Sequence, residues 1–536
     1  MNSLSGQVAG AGAVSALRSA TDNRIASIRS SASDSSLIQT GTVRNYYVSS
    51  STGDDGNSGT DADHPWKTLA KVNAKLTSGS SSYKYNVFLK RGDTWRGEQI
   101  YVYKTSNVSI TAYGTGAKPV ILGSPENGAD PSKWTEVASN IWRYAGSNNW
   151  NDVGDIVFND GESYGCKVVQ LYVKNDNGQF ITNFSDPTNC QRYTFTSYTD
   201  LRNDLDFFHD KNFNGGSGAT GYLYLYSTSN PGSRFSSIEF SPDMHGIRIY
   251  QSNNVRVDNV CVKYVGGHGI AGNGLNLQNI LVQNCEFGWI GGSIHKRISN
   301  SDIGTTGIHY DTRYGNAVEI YGGCNNFRVQ NNYIYQCYDA GITQQYNCEG
   351  YTNSSHTANQ INIYYHNNVI ENCNYSIEYF LSNCPTGNSS YIGNFRITDN
   401  IMWNSGRGIC ETRGQWNLGF AAHIKAQSGT TSCNRFANSE NAFVISGNKF
   451  IGERDAVFAI CSKMDSTNAN ADPVVTDNEI YGVYGINKIG AIANYDSGSD
   501  VQIHKIYAPF DTNIQAYMND QIGVSKFSGN TVKFLI

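Results

Sequence analysis

The sequence predicts an all-β chain wound into a parallel β-solenoid, and three observations predict it. A six-residue motif recurs along the second half, an Asn holds one phase of that motif through five consecutive copies, and the composition is rich in Gly and poor in charge. Written as apolar, any, turn residue, ladder residue, any, apolar, the motif reads VDNVCV (257–262), VQNCEF (282–287), VQNNYI (329–334), YHNNVI (365–370), ITDNIM (397–402), ISGNKF (445–450) and VTDNEI (475–480). Its third position is Asn, Asp or Gly, the residues that tolerate positive φ at a tight corner. Its fourth is Val260, Cys285, Asn332, Asn368, Asn400, Asn448 and Asn478. In stacked copies these Asn side chains can bond to neighbouring backbone and to each other. A second landmark, a small residue followed by a buried Ile or Val, comes at Ile270, Ile342, Ile377, Ile409 and Val457, with Val318 delayed by an excursion through 291–314. Coils of this kind cannot bury their apolar side alone and must stack.

Composition bounds the function. Only 16% of the 536 residues are charged, against roughly 25% in ordinary soluble domains, which argues against a charge-laced helical bundle. Tyr contributes 35 residues, so much of the aromatic surface carries a hydroxyl and suits stacking on sugars. A net charge of −5 without a Lys/Arg run argues against nucleic acid as partner. No stretch is long and apolar enough to span a membrane, and the first 30 residues lack the order of a secretory signal. The 12 Cys contain no C-x-x-C pair, so a zinc site is not expected and the cysteines read as small buried hydrophobes, suited to folding in a reducing cytoplasm.

Taken in order, the chain reads as five parts. Residues 1–43 carry a short helical stripe of Val14, Leu17, Thr21 and Ile28 with Ile25 beside it. Such a stripe cannot hold a helix alone in water, leaving a frayed segment or a parallel homotrimer as expectations. Residues 44–124 open the solenoid, 125–245 form a polar, aromatic elaboration beside it, 246–490 are the central coils, and 491–536 read as a small C-terminal β cap.

The repeats, together with YYVSSSTGDDGNSGT (46–60), HPWKTL (64–69), VFLKRGDTWRGE (87–98) and TAYGTGAKPVILGS (111–124), resemble right-handed parallel β-helix proteins of the pectate-lyase-like superfamily over about residues 44–490. The resemblance implies right-handed coils and action on acidic or complex polysaccharides, by secreted enzymes or trimeric phage tailspikes. It is fairly specific for the fold and weak for the reaction.

Period-2 alternation turns outward the residue after each buried Ile or Val: Ala271, Glu319, Thr343, Glu378, Cys410 and Phe458. Glu319 and Glu378 then share a face two coils apart, their backbones roughly 9–10 Å from each other. Flexible side chains can bring two such carboxyls to the roughly 6.5–9.5 Å of inverting glycosidases. Asp339 joins them as the third catalytic candidate, and Glu411 extends the cluster, whose mutual repulsion raises at least one pKa. The plainer reading of each acid alone is a solvated face.

Substrate-binding candidates surround the acids. GIHYDTRYGN (307–316) delivers His309, Asp311 and Arg313; Arg313 suits a sugar carboxylate, or else pairs with Asp311 to pin the loop. His268 is a candidate base or a backbone-bonded corner residue. Tyr338 and Tyr379, among Tyr310, Tyr314, Tyr321, Tyr346 and Trp416, offer stacking faces, and Gln344 and Gln345 neutral hydrogen bonds. Arg407 and Arg413 are the cations a lyase would need. No cofactor is expected: the acidic turn with Asp54, Asp55 and Asp61 invites Ca²⁺ but lacks the Glu that closes a calcium hand.

The leading expectation is therefore a glycoside hydrolase of tailspike type, acting on cell-surface polysaccharide from a virion tail beside other tail proteins. A polysaccharide lyase, extracellular if a leader has been removed, and a non-catalytic adhesin are the alternatives.

Overall fold

The computed structural model of the chain describes residues 7–9, 11–77, 79–80, 82–168, 171–174, 180–181, 197–211, 221–296, 309–310, 312–348, 357–382, 388–412, 421–426, 436–437, 441–459, 473–482, 488–493, 503–509 and 526–535. Its architecture is a right-handed parallel β-helix. Three columns of parallel strands run along it. The first passes through Ile100–Tyr103, Ile247–Tyr250 and the start of Ile270–Gln283, then through 318–321, 342–347, 377–382, 422–426 and 456–459. The other two carry the two halves of the six-residue motif, meeting at its corner.

Alternation fills the interior. Ile247, Ile270, Val318, Ile342, Ile377, Ile424 and Phe458 are register partners on successive strands, and all are fully buried in one core. At the motif corner the third residue is left-handed in copy after copy, with φ of 55° at Asn331, 62° at Asn367, 56° at Asp399, 69° at Gly447 and 57° at Asp477. That turn aims the fourth residue inward. Each backbone N–H there donates to the Oδ1 of the Asn one coil on: Cys285 to Asn332 at 2.9 Å, Asn332 to Asn368 at 3.0 Å, Asn368 to Asn400 at 2.9 Å, Asn400 to Asn448 at 3.0 Å and Asn448 to Asn478 at 2.9 Å.

The ladder outruns its expected end near residue 490. Asn478 donates to Asn530 at 3.0 Å, because FSGNTV (527–532) is an eighth copy whose strands, Lys526–Ser528 and Thr531–Leu535, stack on the previous coil. The described part of the expected C-terminal cap is thus another coil plus an antiparallel pair, Lys488–Ala493 with Ile503–Pro509. Gln7–Ala9 pairs in parallel with Lys533–Leu535 and covers the open edge that this last coil would present.

Two landmarks were misplaced. Ile409 sits in a 3₁₀ turn, Gly408–Thr412, and the strand that stacks on Ile377 is Ala422–Ala426, with Ile424 in the expected place. On the next coil Phe458, not Val457, aligns with Ile424. Cys410 and Phe458 are therefore not outward members of the Glu378 column; Lys425 and Ala459 are.

The N-terminal helix, Ala11–Ser30, lies along the solenoid rather than against copies of itself. Leu17 packs with Trp403, Ile451 and Tyr481, and Ile25 and Ile28 with Tyr333 and Val369. Trp403 Nε1 donates to Thr21 Oγ1 at 3.1 Å, Arg29 grips Glu286 through two bonds of 2.9 and 3.0 Å, and Arg18 donates to Glu371. The apolar seam is occupied within the chain, which removes the physical ground for reading a trimer from it. Ile28 is 1% exposed, so Ile28→Asp is expected to cost about 3 kcal/mol by burying an unpaired charge, and to detach the helix. Faster tryptic cleavage at Arg18, Arg24 and Arg29 is the measurement; unchanged cleavage would contradict the docking.

Residues 125–245 enter between two successive coils, since Val120–Leu122 pairs directly with Cys261–Lys263. They carry their own core of Trp134, Tyr144, Phe158, Phe207 and Phe240. Lys167 forms a buried 2.5 Å ion pair with Asp152, whose carboxylate also accepts the Ile294 N–H at 2.7 Å, tying the insertion to Ser293–Lys296, a strand of the excursion that pairs with Thr312–Tyr314.

Candidate functional site

Two outward rows of the first strand column build one cleft. Register places Tyr101, Arg248, Ala271, Glu319, Thr343, Glu378 and Lys425 in one row, and Tyr103, Tyr250, Asn273, Tyr321, Gln345 and Phe380 in the other. Over these rows opens a cleft of about 550 Å³ whose lining includes Arg248, Tyr250, Ala271, Asn273, Glu319 and Tyr321. His245, His268, His295, Tyr314, Asn316 and Asp339 close it from the corner side.

Glu319 is the most perturbed acid of the cleft. Burial pushes its carboxyl up to about 7; the hydrogen bond from Asn316 opposes that rise, and the negative charge of Asp339 adds to it. Asn316 is oriented by the next coil: its Oδ1 accepts the Ala340 N–H at 2.7 Å, so its Nδ2 must face Glu319, donating to Oε2 at 2.5 Å. Oε2 is engaged as an acceptor, which leaves Oε1 as the oxygen with no such bond to carry the carboxyl proton.

The histidines follow the same corner logic. His268 N–H donates to His245 Nδ1 at 2.9 Å, and Asn316 N–H donates to His268 Nδ1 at 3.0 Å. Both rings accept at Nδ1, which places their protons on Nε2. Burial holds His268 down at about 4 and His245 at about 3, so both are neutral near pH 7. The rings stack at 5.1 Å and 7°. His268 Nδ1 lies 3.5 Å from Glu319 Oε2, but two acceptors meet there and no ion pair forms.

The geometry sorts the sequence candidates. Glu319 and Asp339 line the cleft together, with His268. Glu378 holds the expected row two coils from Glu319, yet it lies outside the cleft lining: Lys425 donates to it at 2.6 Å and Gln345 at 2.9 Å, and its exposure is 3%. Arg313 is 3% exposed and donates to the carbonyls of Gly292 at 2.7 Å and Gly154 at 3.1 Å, with its guanidinium over the Tyr338 ring. It staples the insertion to the solenoid and is not presented to a sugar; Tyr338 is buried beneath it.

Gln344 and Tyr379 face inward. Each lies two residues after a buried Ile, so alternation that turns Glu319 out turns them in; Tyr365 donates to Gln344, and Tyr379 packs on Phe395 and Phe443. Arg407 and Glu411 form an exposed pair at 3.1 Å away from the cleft. Asp311 and Arg413 lie outside the described residues, as does Trp416. Asp55 and Asp61 accept turn N–H groups, from Lys67 at 2.9 Å and His64 at 2.9 Å. Among the described residues no group of three or more His, Cys, Asp or Glu is placed to hold a metal ion.

Arg248, Tyr250, Asn273, His245 and Asn316 escaped the sequence reading, though signals for them existed. His-Gly-Ile occurs twice, at 245–247 and 268–270, and Asn-Ala-Val at 316–318 repeats its phase. The first copy, HGIRIY, is one coil earlier and carries Arg248 and Tyr250 outward.

No family model matches the chain. Over 166 residues it is 31% identical to a lacto-N-biosidase of Bifidobacterium longum subsp. longum, a match covering 29% of this chain and 9% of that protein. The chain thus spans under a tenth of that relative's length. Among solved structures it is similar to a GH136 lacto-N-biosidase from Eubacterium ramulus, with a TM-score of 0.35 and 13% identity over 83% of this chain and 64% of that one. It is also similar to a family 28 exopolygalacturonase of Yersinia enterocolitica, with a TM-score of 0.34 and 10% identity over 83% and 68%.

Proposed function

We propose that the cleft hydrolyses a glycosidic bond, with Glu319 as proton donor and Asp339 as the second carboxylate. The observation that carries this reading is a carboxyl held near pH 7 by burial and by a neighbouring acid, at the wall of an open, tyrosine-lined cleft. The lacto-N-biosidase match supports a glycan as substrate. The proton on Glu319 Oε1 passes to the glycosidic oxygen as the bond from that oxygen to the anomeric carbon breaks. Water supplies the new C–O bond, and its proton goes to the Asp339 carboxylate. Glu378 moves from the catalytic pair to a supporting place: tied to Lys425, it orients Gln345 at the cleft edge.

Elimination is the alternative reading: Arg313 is committed to carbonyls and His268 has its Nδ1 engaged, which leaves Arg248 as the cation in the cleft lining. Incubation with capsular or cell-wall polysaccharide separates the two. New reducing ends without absorbance near 235 nm are expected; absorbance at that wavelength would mean a lyase, and bound glycan left intact an adhesin. A tailspike-type setting on a virion tail, or an extracellular one, belongs to the same proposal and rests on the resemblance to the pectate-lyase-like superfamily, whose members include both, and on the N-terminal helical segment ahead of the solenoid. Assembly as a homotrimer would need a contact other than the helix stripe, and sedimentation tests it: a trimer would give three times the 58.8 kDa chain mass.

The raised carboxyl sets the pH dependence. Glu319 must be protonated to donate, so cleavage is expected below about pH 7 and lost as pH rises through it. Asn316→Ala removes the bond that opposes the rise and should move this limb upward; a profile flat to pH 9 in the parent protein would contradict the assignment. Glu378→Gln removes the carboxylate that faces Lys425 at 2.6 Å, both groups being largely buried, and is expected to cost about 3–5 kcal/mol. Thermal denaturation of Glu378→Gln beside Glu378→Gln/Lys425→Met checks this, the double variant recovering most of the loss.

A further inference from the structure

The cleft lies at a gap between two aromatic rungs of the second outward row, Tyr250 and Tyr321. In the second outward row Tyr103 and Tyr250 stack at 5.2 Å with planes 7° apart, as coils one rise apart require. The next position is Asn273, exposed and too short to continue the stack; the one after is Tyr321. In the first row the same coil carries Ala271, between Arg248 and Glu319. One coil therefore contributes only small outward side chains, and its neighbours contribute large ones. With strands about 4.8 Å apart, the Tyr250 and Tyr321 positions are roughly 9.5 Å apart, room for one saturated ring in contact with both.

We propose that a single pyranose ring of the substrate inserts over Asn273 as the missing rung, one face on Tyr250 and its other side toward Tyr321. This rests on the glycan-cleaving reading of the same cleft and adds where the sugar next to the scissile bond sits. A ring in that slot presents its exocyclic oxygens over Ala271. One edge of it meets the guanidinium of Arg248, itself held over the Tyr101 ring at 4.6 Å, and the other edge meets Glu319. The C–H face of the sugar replaces the phenol that the ladder lacks, Asn273 offers its amide beneath, and the glycosidic oxygen comes to the wall that carries the proton donor. Ala271 and Asn273 are then specificity-determining by their smallness: a bulkier outward side chain at either position closes the slot.

The test separates binding from cleavage by using Glu319→Gln throughout. Saturation-transfer NMR with galactose, glucose, N-acetylglucosamine, N-acetylgalactosamine and galacturonic acid, each as its methyl pyranoside, reads occupancy of the slot. At least one sugar is expected to receive saturation, to lose it at least tenfold in Glu319→Gln/Asn273→Tyr, and to lose it in Glu319→Gln/Tyr250→Ala with recovery in Tyr250→Phe. Asn273→Tyr should leave the melting temperature unchanged or higher, since the new ring stacks on Tyr250 from an exposed strand position. Saturation that survives Asn273→Tyr, or none with any of the five sugars, would overturn the slot. Neither result touches the assignment of Glu319, which fails separately if Glu319→Gln still releases reducing ends.

Discussion

Glu319→Gln is expected to lower glycan cleavage about 10³-fold while leaving the fold intact. General acid catalysis contributes roughly 10²–10⁴-fold, and Gln keeps the volume and the acceptor oxygen that Asn316 needs but has no proton to give. Stability supplies a second readout with a sign of its own. The folded carboxyl is raised from 4.5 to about 7, so between those values the folded state binds more protons than the unfolded one, and stability falls as pH rises through that window. Gln does not titrate. The variant should therefore gain on the parent protein between pH 5 and pH 8, by an amount on the order of 3 kcal/mol if the full shift is realised. Denaturant titrations at the two pH values measure it. Cleavage that persists in Glu319→Gln would remove this residue from the reaction; a stability difference independent of pH would mean its carboxyl is not held protonated by the fold.

Asn368→Ala is expected to cost about 3 kcal/mol. The side chain accepts at Oδ1 from the Asn332 N–H and Nδ2, each at 3.0 Å, and donates from Nδ2 to Val329 O and Asn400 Oδ1, each at 2.9 Å. All of this is fully buried, so truncation leaves donors and acceptors on two coils without solvent to replace their partner, at about 1–3 kcal/mol for a stranded group. Asn368→Asp keeps the acceptor and loses the donor, and should fall between the two. A melting temperature unchanged in Asn368→Ala would mean that the coils are not held in the register described.

The ladder was legible because its chemistry is local. A left-handed corner needs Asn, Asp or Gly, an inward amide needs Asn, and both recur at fixed phase in the chain, so Asn332 through Asn478 could be aligned without coordinates. The row containing Glu319, Thr343 and Glu378 followed from period 2 alone, and the register places them as read. Gln344 and Tyr379 were misassigned against that same rule: they sit an even number of residues from a buried Ile and had to face inward. Ile409 misled for a different reason. A small residue and an Ile at the expected distance are satisfied equally by a 3₁₀ turn, and only the stacking of Ile424 on Ile377 decides which strand continues the column.

Other features were beyond any reading of the chain. Whether a carboxylate is a catalyst or half of an ion pair depends on what stands opposite it; Lys425 opposite Glu378 and Asp339 near Glu319 are 47 and 20 residues away in sequence, at distances set by excursions of irregular length. The helical stripe around Ile28 is apolar in the sequence whether it meets a copy of itself or the flank of its own solenoid. What the sequence determined by itself is the coil: local backbone preferences and alternation repeat at every turn, and repetition makes them readable. What only the tertiary structure decided is the environment of each outward group, because burial and charge at a site are sums over neighbours brought together from distant parts of the chain.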